Sequence, residues 1–209
     1  MNFFLLFLVC AGVRGFTIPS LLTKEKLMRH DVRHHLTINY IDGLMETGKK
    51  TRNWNPAVKE VKAFLAGQSF RNLHPVLLTK AIKLFALAGL VDDSIGILRN
   101  AQASGYKKIN VLHYNAAMTV CRNHKRYNTG LELFEEMPME PDRISKSLAI
   151  HMLGRVGSWE KALKLYDSVN KASQDEALLL EVMSCLTRNS QADKSVELYE
   201  ARCNEVNQP

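Results

Sequence analysis

The sequence predicts an all-α fold, a right-handed α-solenoid of four to five helical hairpins. A set of small and apolar positions recurs along the chain in steps of 37, 36, 32 and 33 residues. Within each copy these positions follow the spacing i, i+3, i+4, i+7, which places them on one face of a helix. Strict alternation of apolar and polar residues, typical of a half-buried strand, is confined to a few residues at a time. Hairpins that repeat in this way bury their apolar faces against their neighbours.

The repeat is clearest where GLELF at 130–134 is aligned with ALKLY at 162–166. The first aligned column contains Trp54, Val91, Tyr127, Trp159 and Ala192. The second is always small and contains Ala57, Ser94, Gly130, Ala162 and Ser195. The third contains Val58, Ile95, Leu131, Leu163 and Val196, and the fourth contains Val61, Leu98, Phe134, Tyr166 and Tyr199. A small residue lets a neighbouring helix approach closely, and the large residue one turn later fills the adjoining space.

Short polar residues and glycines predict the helix boundaries. Asp142 is a good N-cap for the helix that follows Pro141, and Gly157 predicts a break between two helices. Ser158 is the predicted N-cap after that break, and Ser190 with Asp193 has the spacing of a capping box.

Composition indicates a folded, basic protein. The 209 residues are 46% hydrophobic and 23% charged, with a formal net charge of +7 and a pI of about 9.3. These values exclude disorder as the main state, and the charge favours a polyanionic partner such as nucleic acid.

No catalytic or metal-binding motif is found. The four cysteines, Cys10, Cys121, Cys185 and Cys203, form no C-x-x-C pair, and no histidine belongs to an H-x-E motif. The sequence has neither a glycine-rich phosphate loop nor a G-x-S-x-G elbow. We therefore expect no metal, no cofactor and no enzymatic activity.

The amino terminus resembles a targeting leader. Residues 3–9 are an apolar run too short to span a bilayer, and small residues precede Phe16, as before a signal cleavage site. We interpret 1–15 as a signal peptide and the basic stretch 16–36 as a transit-peptide-like segment, which leaves a mature form without a membrane segment. Such a two-part leader resembles those of proteins sent to complex plastids. A mitochondrial presequence and a buried amino-terminal helix are the alternatives.

Two segments, 111–142 and 143–169, resemble the pentatricopeptide repeat. The resemblance is carried by the Tyr114-Asn115 start, the LELFEEM close at 131–137, the Pro141-Asp142 link and the glycines at 89 and 157. It implies an α-solenoid over 37–203 followed by a tail at 204–209. The predicted repeats are 37–74, 75–110, 111–142, 143–175 and 176–203. The tetratricopeptide repeat is the rival, but its Trp, Leu-Gly and Tyr signature is missing.

The resemblance also implies how RNA would be read, one base per repeat by two side chains. The implied base-reading pairs are Thr79 with Asn110, Asn115 with Asp142, and Ser147 with Asp175. In the family such pairs prefer adenine, uracil and guanine, which gives the order A-U-G. Leu180 takes the reading position of the last repeat and cannot form a hydrogen bond. The expected phosphate contacts are Lys80, Lys83, Arg122 and Lys146.

The resemblance therefore implies an organellar single-stranded RNA-binding protein that acts in RNA processing, stability or translation. A plastid is the expected location, with the mitochondrion as the alternative. Two other functions stay open at this point: a protein–protein interaction scaffold built on the same solenoid, and a factor associated with the organellar ribosome.

Overall fold

The structure, a computed structural model, describes residues 30–66, 70, 73–170 and 174–206, with side chains described from 38 to 204. The predicted signal peptide and residues 16–29 of the transit-like segment lie outside the described residues, as do residues 207–209 of the tail. The chain divides into two compact units, Met1–Asn39 and Tyr40–Pro209. Of the first unit only residues 30–39 are described, and they are helical.

The described residues form helices and no strands, so the predicted all-α fold is confirmed. The first two helices are α1 (His30–Thr51) and α2 (Asn55–Ala66), so α1 begins seven residues before the expected repeat start at 37. Four hairpins follow, whose helices are α3 (Pro75–Leu87), α4 (Val91–Ala103), α5 (Val111–Asn123), α6 (Tyr127–Glu135), α7 (Arg143–Arg155), α8 (Trp159–Asp167), α9 (Glu176–Arg188) and α10 (Ala192–Val206).

The hairpins stack in two layers. The leading-helix layer consists of α3, α5, α7 and α9, and each of these helices contacts the next. The trailing helices α4, α6 and α8 each pack against the leading helix of their own hairpin and that of the following hairpin. This arrangement is an α-solenoid, and it places equivalent residues of successive leading helices side by side.

The small-residue column lies where a trailing helix meets two leading helices. Ser94 and Ala162 are fully buried, and Gly130 is buried as well. A Cβ atom at Gly130 would lie 2.3 Å from Sδ of Met152 in α7 and 3.0 Å from Cβ of Cys121 in α5. An added Cβ at Gly130 would require Met152 and Cys121 to shift, and this close approach of the helices explains why the predicted column contains only small residues.

The last trailing helix differs from the others. Val196 and Tyr199 belong to the predicted apolar columns, but each is more than half exposed in α10. The physical reason is the stacking, because no following leading helix covers α10 in the part of the chain that the structure describes.

The same turn ends each of the four leading helices. The second residue after the helix has a positive φ, at Gly89 (+77°), Lys125 (+59°), Gly157 (+83°) and Ser190 (+59°). The next backbone N–H then bonds back into the helix, for example from Leu90 to the Phe85 carbonyl at 2.9 Å and from Arg126 to the Cys121 carbonyl at 2.8 Å. This is the Schellman motif, in which a glycine is most easily accommodated.

The predicted capping box of Ser190 with Asp193 was wrong. Ser190 does not cap α10, because it occupies the left-handed position of the preceding turn. Ser158 stands at the N-cap of α8 as predicted, but its side chain makes no capping hydrogen bond. Its backbone, with φ −93° and ψ 53°, is outside the extended conformation usual for a capping residue. The predicted N-cap at Asp142 is confirmed.

Candidate nucleic-acid interface

Three of the predicted reading residues are N-caps of leading helices. The side-chain oxygens of Asn110, Asp142 and Asp175 accept hydrogen bonds from the backbone N–H groups of Leu112 (3.1 Å), Ser145 (2.8 Å) and Leu178 (3.0 Å). Short polar side chains form these bonds readily, because they reach the unsatisfied N–H groups of the first turn. Capping therefore holds all three at the same end of the leading-helix layer.

The structure joins one predicted pair directly. Asn115 is the fifth residue of α5, and its Nδ2 donates to Oδ1 of Asp142 over 3.1 Å. Its Oδ1 accepts from the hydroxyl of Ser145 over 2.6 Å. Asn115 and Ser145 are both buried. Side chains from two consecutive repeats thus meet in one hydrogen-bonded cluster, which we call the Asn115 cluster (Asn115, Asp142 and Ser145).

The other two pairs are not joined by a hydrogen bond between their described side chains. Thr79, the fifth residue of α3, has its Oγ1 3.4 Å from the Pro75 carbonyl, whereas Asn110 forms a capping box with His113. Ser147, the fifth residue of α7, is half-buried. Asp175 pairs instead with Arg143 over 2.5 Å.

Burial and hydrogen bonding have opposite effects on the pKa of Asp142. Burial raises the pKa of this carboxyl group, but the hydrogen bonds from the Ser145 backbone and from the Asn115 side chain outweigh this effect. The net result is a pKa below the ordinary value of an aspartate, so Asp142 is a carboxylate at neutral pH. A carboxylate offers acceptors only.

His113 contributes to the interface, although sequence reasoning assigned it no role. It is fully buried, its Nδ1 accepts from the Asn110 backbone N–H over 3.1 Å, and its Nε2 lies 3.0 Å from the Pro75 carbonyl. Since a backbone N–H can only donate, Nδ1 carries no hydrogen and Nε2 donates to Pro75. Burial lowers the pKa of His113, which keeps the ring neutral. The signal in the sequence was its position three residues after the N-cap Asn110.

A row of exposed aliphatic side chains runs beside the fifth residues. The second residues of α3, α5 and α7 are Val76, Leu112 and Ile144, which are 41%, 62% and 49% exposed. Sequence reasoning missed this row, because each residue lies outside the buried stripe of its helix. In α9 the second residue is Ala177, and the large exposed side chain is Leu180 in the fifth position. The leading helices α3, α5 and α7 therefore each expose one aliphatic side chain at the equivalent position.

The four predicted phosphate contacts differ in their surroundings. Lys80 forms an ion pair with Asp42 of α1, and Lys146 lies 3.6 Å from Glu140. Lys83 and Arg122 form no ion pair within the described part of the chain. These two side chains are therefore available to an anionic ligand without first leaving a carboxylate.

Charge is divided between the two layers. The helices α3, α5 and α7 contain six lysines and arginines and no acidic residue. Their partners α4, α6 and α8 contain six acidic residues and three basic ones. The division ends at α9, which contains two glutamates and one arginine. The basic surface of these hairpins is thus the one that carries the predicted reading residues.

The described residues include neither a metal-binding cluster nor a membrane-spanning helix. Within residues 30–206, apart from the short undescribed gaps, no group of three or more His, Cys, Asp or Glu side chains is placed to hold a metal ion. None of the helices described has the length and apolarity needed to cross a membrane.

Comparison with known families agrees with this geometry. The family model described as "PPR repeat" matches residues 112–140 and 145–172, which contain the hairpins α5–α6 and α7–α8. These two hairpins match the pentatricopeptide repeat. The Asn115 cluster lies where these two matched repeats meet, since Asn115 belongs to the first and Ser145 to the second.

A relative of this chain is found in Arabidopsis thaliana. It is a pentatricopeptide repeat-containing protein described by its name as mitochondrial, and it is 29% identical over 113 residues. The match covers 52% of the present chain and 16% of the relative. The chain therefore corresponds to a minor part of that protein.

Proposed function

We propose that this chain binds single-stranded RNA along its leading-helix layer, inside an organelle, and acts in the processing, stability or translation of the bound transcript. The observation that carries the proposal is the Asn115 cluster, in which a polar pair lies on the basic layer between two repeats. The organelle rests on the mitochondrial description of the Arabidopsis relative, which gives the plastid interpretation of the leader no support.

The hydrogen bonds within the cluster do not use every polar atom of Asn115 and Asp142. Asn115 uses one of its two Nδ2 hydrogens on Asp142, and the contacts that Asn115 and Ser145 make with Asp142 are all to Oδ1. One donor on Asn115 and the Oδ2 acceptor of Asp142 therefore take part in none of these bonds. A donor beside an acceptor matches the O4 and N3–H groups of uracil, the base that the family resemblance implies.

The aliphatic row supports the same reading. Val76, Leu112 and Ile144 supply one exposed apolar side chain per repeat, close in sequence to the fifth residue. Unstacked bases present flat apolar faces that lose contact with water when they pack against such groups. Folded duplexes hide these faces, so the row favours single strands.

The free energy contributed by each bound base determines the affinity that we expect. A base held by stacking and edge contacts contributes about 1–3 kcal/mol, so three reading repeats supply roughly 3–9 kcal/mol before ordering costs. That sum corresponds to micromolar or weaker binding once the ordering of RNA and side chains is subtracted. We therefore expect a protein partner, such as an organellar ribosome, to assist binding in the cell.

Fluorescence anisotropy with short labelled RNAs tests the proposal. The protein should bind an oligomer that contains AUG more tightly than a scrambled oligomer or a duplex of the same sequence. The double variant Lys83→Ala with Arg122→Ala should weaken binding to all single strands and reduce the dependence on salt by about 0.7 per lost phosphate contact. Lys161→Ala with Lys164→Ala on the trailing helix α8 is the matched control and should bind like the wild type. Absence of RNA binding at low salt contradicts the proposed function.

Localisation is tested separately by imaging a fusion of residues 1–36 to a fluorescent protein. Import into mitochondria or plastids supports an organellar role and identifies the compartment. A fusion that stays outside both organelles contradicts that part of the proposal.

A further inference from the structure

We propose that Ser145 is a positioning residue that fixes the amide of Asn115 and thereby sets which base the 111–142 repeat prefers. This inference rests on the proposed RNA binding and concerns the same site. Ser145 is the third residue of α7, so the repeat that follows controls the reading residue of the repeat before it.

The carboxylate determines how the amide must turn. Asp142 has no hydrogen to donate at neutral pH, so the group that faces it must be Nδ2 of Asn115, at 3.1 Å. The opposite rotamer would bring the amide oxygen against a carboxylate oxygen. Oδ1 of Asn115 consequently points to the Ser145 hydroxyl, 2.6 Å away.

The single hydroxyl hydrogen of Ser145 then has one best acceptor. Its Oγ lies 2.6 Å from Oδ1 of Asn115 and 2.9 Å from Oδ1 of Asp142. The Asp142 oxygen already accepts from the Ser145 backbone N–H at 2.8 Å and from Asn115. The amide oxygen is nearer, so the hydroxyl donates to Asn115. Since Ser145 is fully buried, water does not replace this donor.

The arrangement is specific to this junction between repeats. The third residues of the leading helices α3, α5, α7 and α9 are Leu77, His113, Ser145 and Leu178. The leucines have no polar group, and His113 reaches back to the Pro75 carbonyl rather than to a fifth residue. Among the helices α3, α5, α7 and α9, only α7 has a third residue, Ser145, whose side chain forms a hydrogen bond with the fifth residue of the preceding repeat.

Loss of the hydroxyl would free one end of the amide. With Oδ1 held by Ser145, Asn115 offers only a hydrogen-bond donor to a base. Without that bond the amide is held only by the contact between Nδ2 and Asp142. It can turn about this contact and bring Oδ1 within reach of the amino groups of cytosine, adenine or guanine. Uracil has no amino group, so its advantage over the other bases should shrink.

The test measures base preference at one nucleotide. Four oligomers that differ only in the central base of A-N-G are titrated into the wild type, Ser145→Ala, Ser145→Thr and Ser94→Ala. Ser94 is the matched control, because it is equally buried and donates to the Ile82 carbonyl at 2.8 Å in the trailing layer. Circular dichroism melts accompany each titration. Ser145→Cys, whose thiol is a weak donor, replaces the alanine variant should that variant not fold.

In the wild type we expect a preference for uracil, which Ser145→Ala should reduce about tenfold while affinity for the AUG oligomer changes less. Ser145→Thr keeps the hydroxyl and should retain the preference for uracil. Ser94→Ala should be less stable than the wild type but should have the same preference for uracil. In an Asn115→Ala background, Ser145→Ala should have no further effect on the preference. An unchanged preference in Ser145→Ala overturns this inference alone, whereas a wild type that binds no RNA overturns the proposed function.

Discussion

Nη1 of Arg143 lies 2.5 Å from Oδ2 of Asp175, and the two residues stand at the two ends of one predicted repeat. Arg143 is the first residue of α7, and Asp175 is the N-cap of α9. The backbone bond from Leu178 and the charge of Arg143 lower the pKa of Asp175. The carboxylate that is predicted to read with Ser147 is therefore already engaged by a cation in the absence of RNA.

Arg143→Gln should release this carboxylate. We expect the variant to prefer guanine over the other bases more strongly at the third position of A-U-N, because Asp175 can then accept from the base. Anisotropy with the four A-U-N oligomers measures the change. Arg99→Gln is the control, since Arg99 is equally exposed and pairs with Glu136 at 2.8 Å in the trailing layer. An unchanged preference in Arg143→Gln would show that Asp175 does not read a base.

Substitution of two helical glycines should have opposite effects on stability. At Gly130 a Cβ would lie 3.0 Å from Cβ of Cys121 and still closer to Met152, whereas at Gly96 it meets nothing within 4 Å. Gly130→Val should destabilise the protein by about 1–3 kcal/mol through overpacking. Gly96→Ala should stabilise it by about 0.5–1 kcal/mol through helix propensity. Urea unfolding followed by circular dichroism measures both, and similar values for the two variants would contradict the close approach at Gly130.

The turns after the leading helices make a second stability prediction. Ser190 holds a φ of +59° where Gly157 holds +83° in the equivalent turn. Ser190→Gly should therefore stabilise the protein by about 0.5–1 kcal/mol, and Gly157→Ala should destabilise it by about 1 kcal/mol. Thermal melts of both variants provide the measurement. A destabilised Ser190→Gly would mean that the serine side chain contributes more than its backbone strain costs.

His113 should make stability depend on pH. Burial lowers its pKa in the folded protein, whereas the unfolded chain has the ordinary value of about 6.5. The unfolded state thus binds the proton more readily, and the free energy of unfolding should decrease as the pH falls from about 6.5 toward the folded pKa. Urea midpoints measured across this range should decrease in the wild type and decrease less in His113→Gln. Equal slopes would contradict a buried neutral His113.

Protonation of Asp142 should affect the stability of the protein in a separate, lower pH range. Its pKa is also lowered, so its stabilising contribution is present above the ordinary aspartate value of about 3.9 and disappears as the pH falls further. Asn115→Ala removes one of its hydrogen bonds and should reduce the loss of stability in this lower range. The loss near pH 6 should stay as in the wild type.

Periodicity was sufficient to predict the helices and their packing faces. The small column at Ala57, Ser94, Gly130, Ala162 and Ser195 is buried throughout, because each member touches a neighbouring helix. The turns at Gly89 and Gly157 were also predictable, since glycine adopts positive φ most easily. Lys125 and Ser190 occupy the equivalent positions without any signal in their residue type, because the packing of the two helices in each hairpin imposes the turn.

The candidate site was less accessible to sequence reasoning. The polarity and position of Asn115 and Asp142 follow from the repeat, but their mutual hydrogen bond depends on how two hairpins pack. The bond of Ser145 to Asn115, the bond of His113 to the Pro75 carbonyl and the ion pair of Arg143 with Asp175 join residues that are 30, 38 and 32 positions apart. Such contacts depend on three-dimensional register rather than on local pattern. The base-reading and phosphate roles themselves stay predictions.

The separation of basic and acidic side chains between the two layers gives the middle of the solenoid an electric dipole across its thickness. The field of an approaching polyanion would exert a torque on the protein, and this torque would turn the leading helices toward the polyanion before contact. The protein would then be oriented before it recognises the RNA. Increasing ionic strength should reduce the association rate constant by a larger factor than it raises the dissociation rate constant.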